Sequence, residues 1–106
     1  MRNAIKASAA LVKGMSRERL ESNEAVYWAA QNRILVVAEA AKQIPRSVRA
    51  RYPEVRWKDL IGMGDMLRHQ YFRVEADIVW DTVKVHFLVL LKVVNELPAA
   101  DGVSAK

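Results

Sequence analysis

The chain has no cysteine, which excludes disulfides, thiolate metal sites and thiol nucleophiles, and fits a reducing cytoplasm. It has only two histidines. Together with scattered carboxylates they form no recognised ligand set, so neither a metal nor any other cofactor is expected. Long apolar runs are also missing. The densest, Val83 to Leu97, is broken by Lys84, His86, Lys92, Asn95 and Glu96, so no segment reaches the roughly 18 apolar residues of a membrane span. Residues 1–13 mix apolar and basic side chains without an apolar block and small-residue cleavage site, so no export signal is expected. There is no strand-like alternation of useful length, no internal repeat, no Gly-rich phosphate loop and no His-Glu-x-x-His.

What is present is an ordinary globular composition, 52% apolar and 27% charged over 106 residues. That length suits one domain, which should bury roughly two-thirds of its unfolded surface. We expect a single helical domain over residues 1–98 and a disordered tail over 99–106. The net charge of +5 leans towards a polyanionic partner.

Helical spacing dominates. Residues 3–13 form a weak amphipathic helix ended near Gly14. Ser22 or Asn23 can cap a long helix that runs to about Gln43 and stops at Ile44-Pro45. Its apolar positions are Val26, Ala29, Ala30, Ile34, Val37 and Ala41. A third helix is predicted from Trp57 to Phe72, although Gly62 and Gly64 weaken it by about 1 kcal/mol each. Such glycines often mark close backbone approach. A fourth helix, residues 75–97, carries Ile78, Val79, Val83, Phe87, Leu90, Leu91 and Val94 as a core stripe. Trp80, Val85, Leu88, Val89 and Val93 widen that stripe, which predicts a face covered by a second copy. The expected fold class is all-α, an antiparallel bundle of about four long helices plus a short helical turn.

The segment between Lys42 and Lys58 holds six basic residues, Lys42, Arg46, Arg49, Arg51, Arg56 and Lys58, against the single acid Glu54. Tyr52 and Trp57 interleave with them, so the segment reads either as a phosphate-tracking surface or as a solvated loop whose aromatics simply pack. His69 and Tyr71 cannot share one face of a regular helix. Either the helix ends there or the two face different surroundings. A histidine at a helix C-terminus is stabilised in its charged form, which suits a general acid, but a capping or packing role is equally compatible with spacing alone. His86, on an apolar helix, reads as structural.

Four blocks in order carry a resemblance: residues 37–45 (Val-Ala-Glu-Ala-Ala-Lys-Gln-Ile-Pro), 52–63 (Tyr-Pro-Glu-Val-Arg-Trp-Lys-Asp-Leu-Ile-Gly-Met), 69–74 (His-Gln-Tyr-Phe-Arg-Val) and 77–83 (Asp-Ile-Val-Trp-Asp-Thr-Val). Together they resemble the HepT-like toxins of the HEPN superfamily. The resemblance implies a helical homodimer acting as a metal-independent ribonuclease, paired with a minimal nucleotidyltransferase antitoxin that adenylylates a motif tyrosine. The family motif is Arg, four to six residues, then His-x-Tyr. By this likeness His69, Tyr71 and Asp65 are catalytic and Tyr71 is the modification site, while the basic segment offers Arg46, Arg49, Arg51, Arg56 and Lys58 to RNA. Gly64 stands where the family commonly has the motif arginine, and Arg68 or Arg73 could supply the missing cation. The implied function is therefore a weakened toxin ribonuclease, or an inactive dimer that binds RNA or the nucleotidyltransferase.

Overall fold

The computed structural model describes residues 1–69 and 74–97, and within these every regular element is helical. Helix α1, Arg2–Val12, is amphipathic and ends where Gly14 takes a φ of +76°, a conformation other residues rarely adopt. A short helix absent from the sequence-based expectation follows. This is α2, Arg17–Ser22, whose N-cap Ser16 accepts from the Arg19 N–H at 3.1 Å. Asn23 then closes α2 and caps α3, Glu24–Lys42, its side-chain oxygen accepting from the Val26 N–H at 3.2 Å.

Helix α3 is the centre of the bundle, packing against α1 on one side and α5 on the other. Its buried positions, Tyr27, Ala30, Gln31, Ile34, Val37, Ala38 and Ala41, recur every three or four residues. Beyond Pro45 comes the short turn α4, Arg46–Arg49, and then α5, Trp57–Leu67. Helix α5 ends earlier than predicted. Arg68 caps it, its N–H bonding the Gly64 carbonyl at 3.0 Å, and the His69 N–H reaches the Met66 carbonyl at 3.2 Å. The predicted end, Phe72, lies outside the described residues, as do Tyr71, Arg73 and residues 98–106.

The last rod comprises α6, Ala76–Asp81, a five-residue π-helical segment, Thr82–His86, and α7, Phe87–Glu96. The π segment answers a spacing problem. Val79, Val83 and Phe87 are all buried at intervals of four. In an unbroken α-helix two such intervals would turn the third residue about 80° away from the first. A wider turn takes much of that back. From Phe87 onward Leu90, Val93 and Val94 hold the core face, whereas Ile78, read from sequence as core, is 47% exposed. Val85, Leu88 and Val89 also face outward. Among the described residues no helix is long and apolar enough to cross a membrane.

Candidate functional site

Two helices far apart in sequence bring the polar groups together. The last turns of α3 supply Glu39 and Lys42, and the end of α5 supplies Asp65, Arg68 and His69. Lys42 Nζ donates to Asp65 Oδ1, and Arg68 Nη2 donates to the same oxygen at 2.6 Å. Arg68 Nη2 also lies 2.8 Å from Glu39 Oε1, an ion contact, since that oxygen has no aligned hydrogen-bond donor. Lys42 completes the ring at 3.9 Å from Glu39. The Lys42 hydrogen bond holds the Asp65 carboxyl below its ordinary value of 3.8, and the charges of Lys42, Arg68 and His69 act in the same direction. His69 is exposed beside this cluster.

Asp65 and Arg68 sit together, three residues apart on α5, and Arg68 is pinned by two carboxylates. Glu39 and Lys42 were missed as site residues because nothing in their own helix marks them. They matter only through what α5 places opposite.

Position 64 requires a revised reading. Gly64 is buried, and a Cβ built on it would lie 2.4 Å from the Ala38 Cβ on α3. The space a side chain would need is therefore occupied by a neighbouring helix. The predicted close approach is real at Gly64 and absent at Gly62, where a Cβ would meet nothing within 4 Å among the described residues.

The five proposed RNA-binding cations separate into groups. Arg46, Arg49 and Lys58 line one groove between α4 and α5, with Asp65 at its edge. Arg56 pairs with Asp59 at 2.7 Å and lines a different cleft, with His86 at its far wall. Arg51 lies 6.0 Å over the Tyr52 ring. Among the described residues no group of three or more His, Asp or Glu side chains is close enough to hold a metal ion.

Comparison with known proteins finds relatives named as ribonucleases. "Putative RNase MJ1216" and "Putative RNase MJ0125", both of Methanocaldococcus jannaschii, are each 42% identical over 72 residues, 68% of this chain. The chain spans about three-fifths of the length of these relatives, 60% and 62% respectively. "Putative RNase TTE0752" of Caldanaerobacter subterraneus subsp. tengcongensis is 34% identical over 86 residues, 81% of this chain and 77% of that protein. "Probable ribonuclease HepT" of Thermococcus cleftensis is 39% identical over 49 residues, 46% of this chain and 44% of its own. No solved structure matches. A profile of the family described as "Ribonuclease HepT-like" matches residues 1–97, and the chain therefore belongs to the HepT-like ribonuclease family.

Proposed function

We propose that this chain is the toxin subunit of a HepT-like toxin–antitoxin pair and cleaves RNA without a metal ion. The observation that carries this reading is the placement of Arg68. Its guanidinium is held by Asp65 at 2.6 Å and Glu39 at 2.8 Å, directly before His69, while position 64 has no room for a side chain. Arg68 thus offers a fixed cation where the motif arginine is missing. In the reaction a ribose 2′-oxygen attacks the adjacent phosphorus and the 5′-oxygen leaves. The products are a 2′,3′-cyclic phosphate and a 5′-hydroxyl. His69 takes the 2′-hydroxyl proton or delivers one to the departing oxygen, and Arg68 stabilises the doubly charged phosphorane.

The working unit is a homodimer of one domain, residues 1–98, with 99–106 as a tail. The exposed Ile78, Val85, Leu88 and Val89 support a second copy as cover. Tyr71 is the site at which a nucleotidyltransferase antitoxin adenylylates the chain. Residence in the cytoplasm follows from that partnership.

A cleavage assay on labelled single-stranded RNA in the presence of a chelator tests the proposal. His69→Ala should abolish cleavage, and Arg68→Ala should lower it by about 10²- to 10³-fold, as expected for loss of a transition-state donor. Arg68→Lys should recover little, because a point charge does not reproduce the planar fork. Full activity in Arg68→Ala would remove Arg68 from the mechanism. A second reading is favoured by Gly64 itself: a dimer that binds RNA or the nucleotidyltransferase without cleaving. It predicts salt-sensitive RNA binding and no cleavage in the wild type.

A further inference from the structure

The groove between α4 and α5 is built differently from a general cationic surface. Its rim carries Arg46, Arg49 and Lys58, and Arg49 is fixed there because its Nε donates to the Ile44 carbonyl at 3.1 Å. Its floor is apolar, formed by Pro53, Ile61 and the edge of Trp57. The Trp57 ring cannot swing freely, since its indole N–H donates to the Tyr52 carbonyl at 3.0 Å. Gly62 also lines the groove, with open space where a side chain would stand, so the backbone of α5 is bare there to anything entering. The groove measures about 590 Å³, within the roughly 300–1,000 Å³ of sites that hold small molecules or single groups.

We infer that this groove is a nucleotide subsite for single-stranded RNA: an unstacked base lies over the bare backbone at Gly62, against Ile61 and Pro53, while its phosphate meets Arg46, Arg49 and Lys58. The inference rests on the ribonuclease reading only in the direction of the strand. Asp65 borders both the groove and the cluster that holds Arg68. Gly62 and Arg68 are about 9 Å apart along the helix axis. A neighbouring nucleotide of the same strand can bridge that distance. A duplex would bring phosphates but no free base face, leaving the apolar floor unused. An acidic peptide would meet the same cations but would bring no flat ring to lie on the apolar floor.

The test uses the full chain and fluorescence anisotropy with labelled oligouridylate and with an abasic RNA strand of equal length. Gly62→Leu fills the space over the backbone and favours the helix. It should weaken oligouridylate binding about tenfold, the scale of one lost base contact, and leave the abasic strand within twofold. Gly62→Ala should give a smaller loss in the same direction, and equal thermal midpoints of variants and wild type check that folding is intact. Lys58→Gln should instead weaken both strands and reduce the salt slope by about one. Unchanged oligouridylate affinity in Gly62→Leu overturns the subsite, as does equal loss on both strands or a wild type that binds neither. If the wild type cleaves with His69 dependence while Gly62→Leu binds normally, the subsite falls and the ribonuclease stands. Base-dependent loss in a chain that never cleaves leaves the subsite standing and removes the ribonuclease.

Discussion

Gly64→Ala adds a single methyl and should be among the more damaging substitutions available to this chain. Its Cβ would lie 2.4 Å from the Ala38 Cβ, whereas carbon atoms without a bond between them settle at about 3.5–4.0 Å. The shortfall exceeds 1 Å. Neither atom can rotate away, because both are fixed to the backbones of α3 and α5, so the helices themselves must part. Overpacking of this kind costs up to about 3 kcal/mol. Alanine recovers about 1 kcal/mol of helix propensity relative to glycine. The net loss is about 2 kcal/mol, and at roughly 4–8 °C per kcal/mol for a domain of this size the thermal midpoint should fall by about 8–16 °C. Thermal denaturation followed by circular dichroism, at one fixed protein concentration, measures it. Ala38→Gly in the same molecule removes the opposing methyl, so the double variant should recover most of the loss, with a coupling of at least about 1 kcal/mol. A midpoint for Gly64→Ala at or above the wild type would refute the contact. The same geometry governs any attempt to restore the motif arginine. Gly64→Arg alone should fail to fold stably, and only with Ala38→Gly does its cleavage activity report on catalysis.

Three further outcomes are expected. The Lys42 hydrogen bond and the nearby positive charges lower the folded Asp65 pKa, so the stability this carboxylate adds is present above the unfolded value of about 3.8 and is lost as pH falls through the lower folded value. Wild type and Asp65→Asn should therefore differ in thermal midpoint at neutral pH and converge in strong acid; a constant gap would refute the linkage. Gln31 is 3% exposed, and its Oε1 accepts from the Val74 N–H at 2.8 Å. Gln31→Leu should cost about 1–3 kcal/mol through the stranded buried amide and speed hydrogen exchange at Val74. Asn23→Ala removes the cap of α3 and should cost about 1 kcal/mol in urea denaturation.

Much of the fold was legible because its breaks are chemically marked. Gly14 ends α1, Asn23 caps α3, and Pro45 separates α3 from α4. The short α2 was not legible, since six residues carry too little periodicity to stand out. Nor was the π segment, whose cause is the position of other helices. Gly62 and Gly64 look alike in sequence, and only the helix opposite gives them different roles: one faces Ala38, the other an open groove. The site was half legible for the same reason. Asp65 and Arg68 lie in the motif stretch, but Glu39 and Lys42 join them only after α3 and α5 pack. Arg51 and Arg56 shared a charge pattern with Arg46, Arg49 and Lys58, yet Arg51 lies over Tyr52 and Arg56 pairs with Asp59, away from the groove.

The wide turn at Thr82–His86 also bears on which insertions and deletions the chain can accept. Removing one residue there would permit an unbroken α-helix with better local hydrogen bonding, so the segment by itself would gain. Val79 and Phe87 would then stand seven residues apart, within about 20° of one face, so Phe87, Leu90 and Val94 would keep the core and Leu88 would stay outside. The wide turn thus absorbs one residue that the register of the rod does not need. Loss of the exposed Val85 should be tolerated, whereas loss of a residue within α7 would turn every later side chain by about 100°.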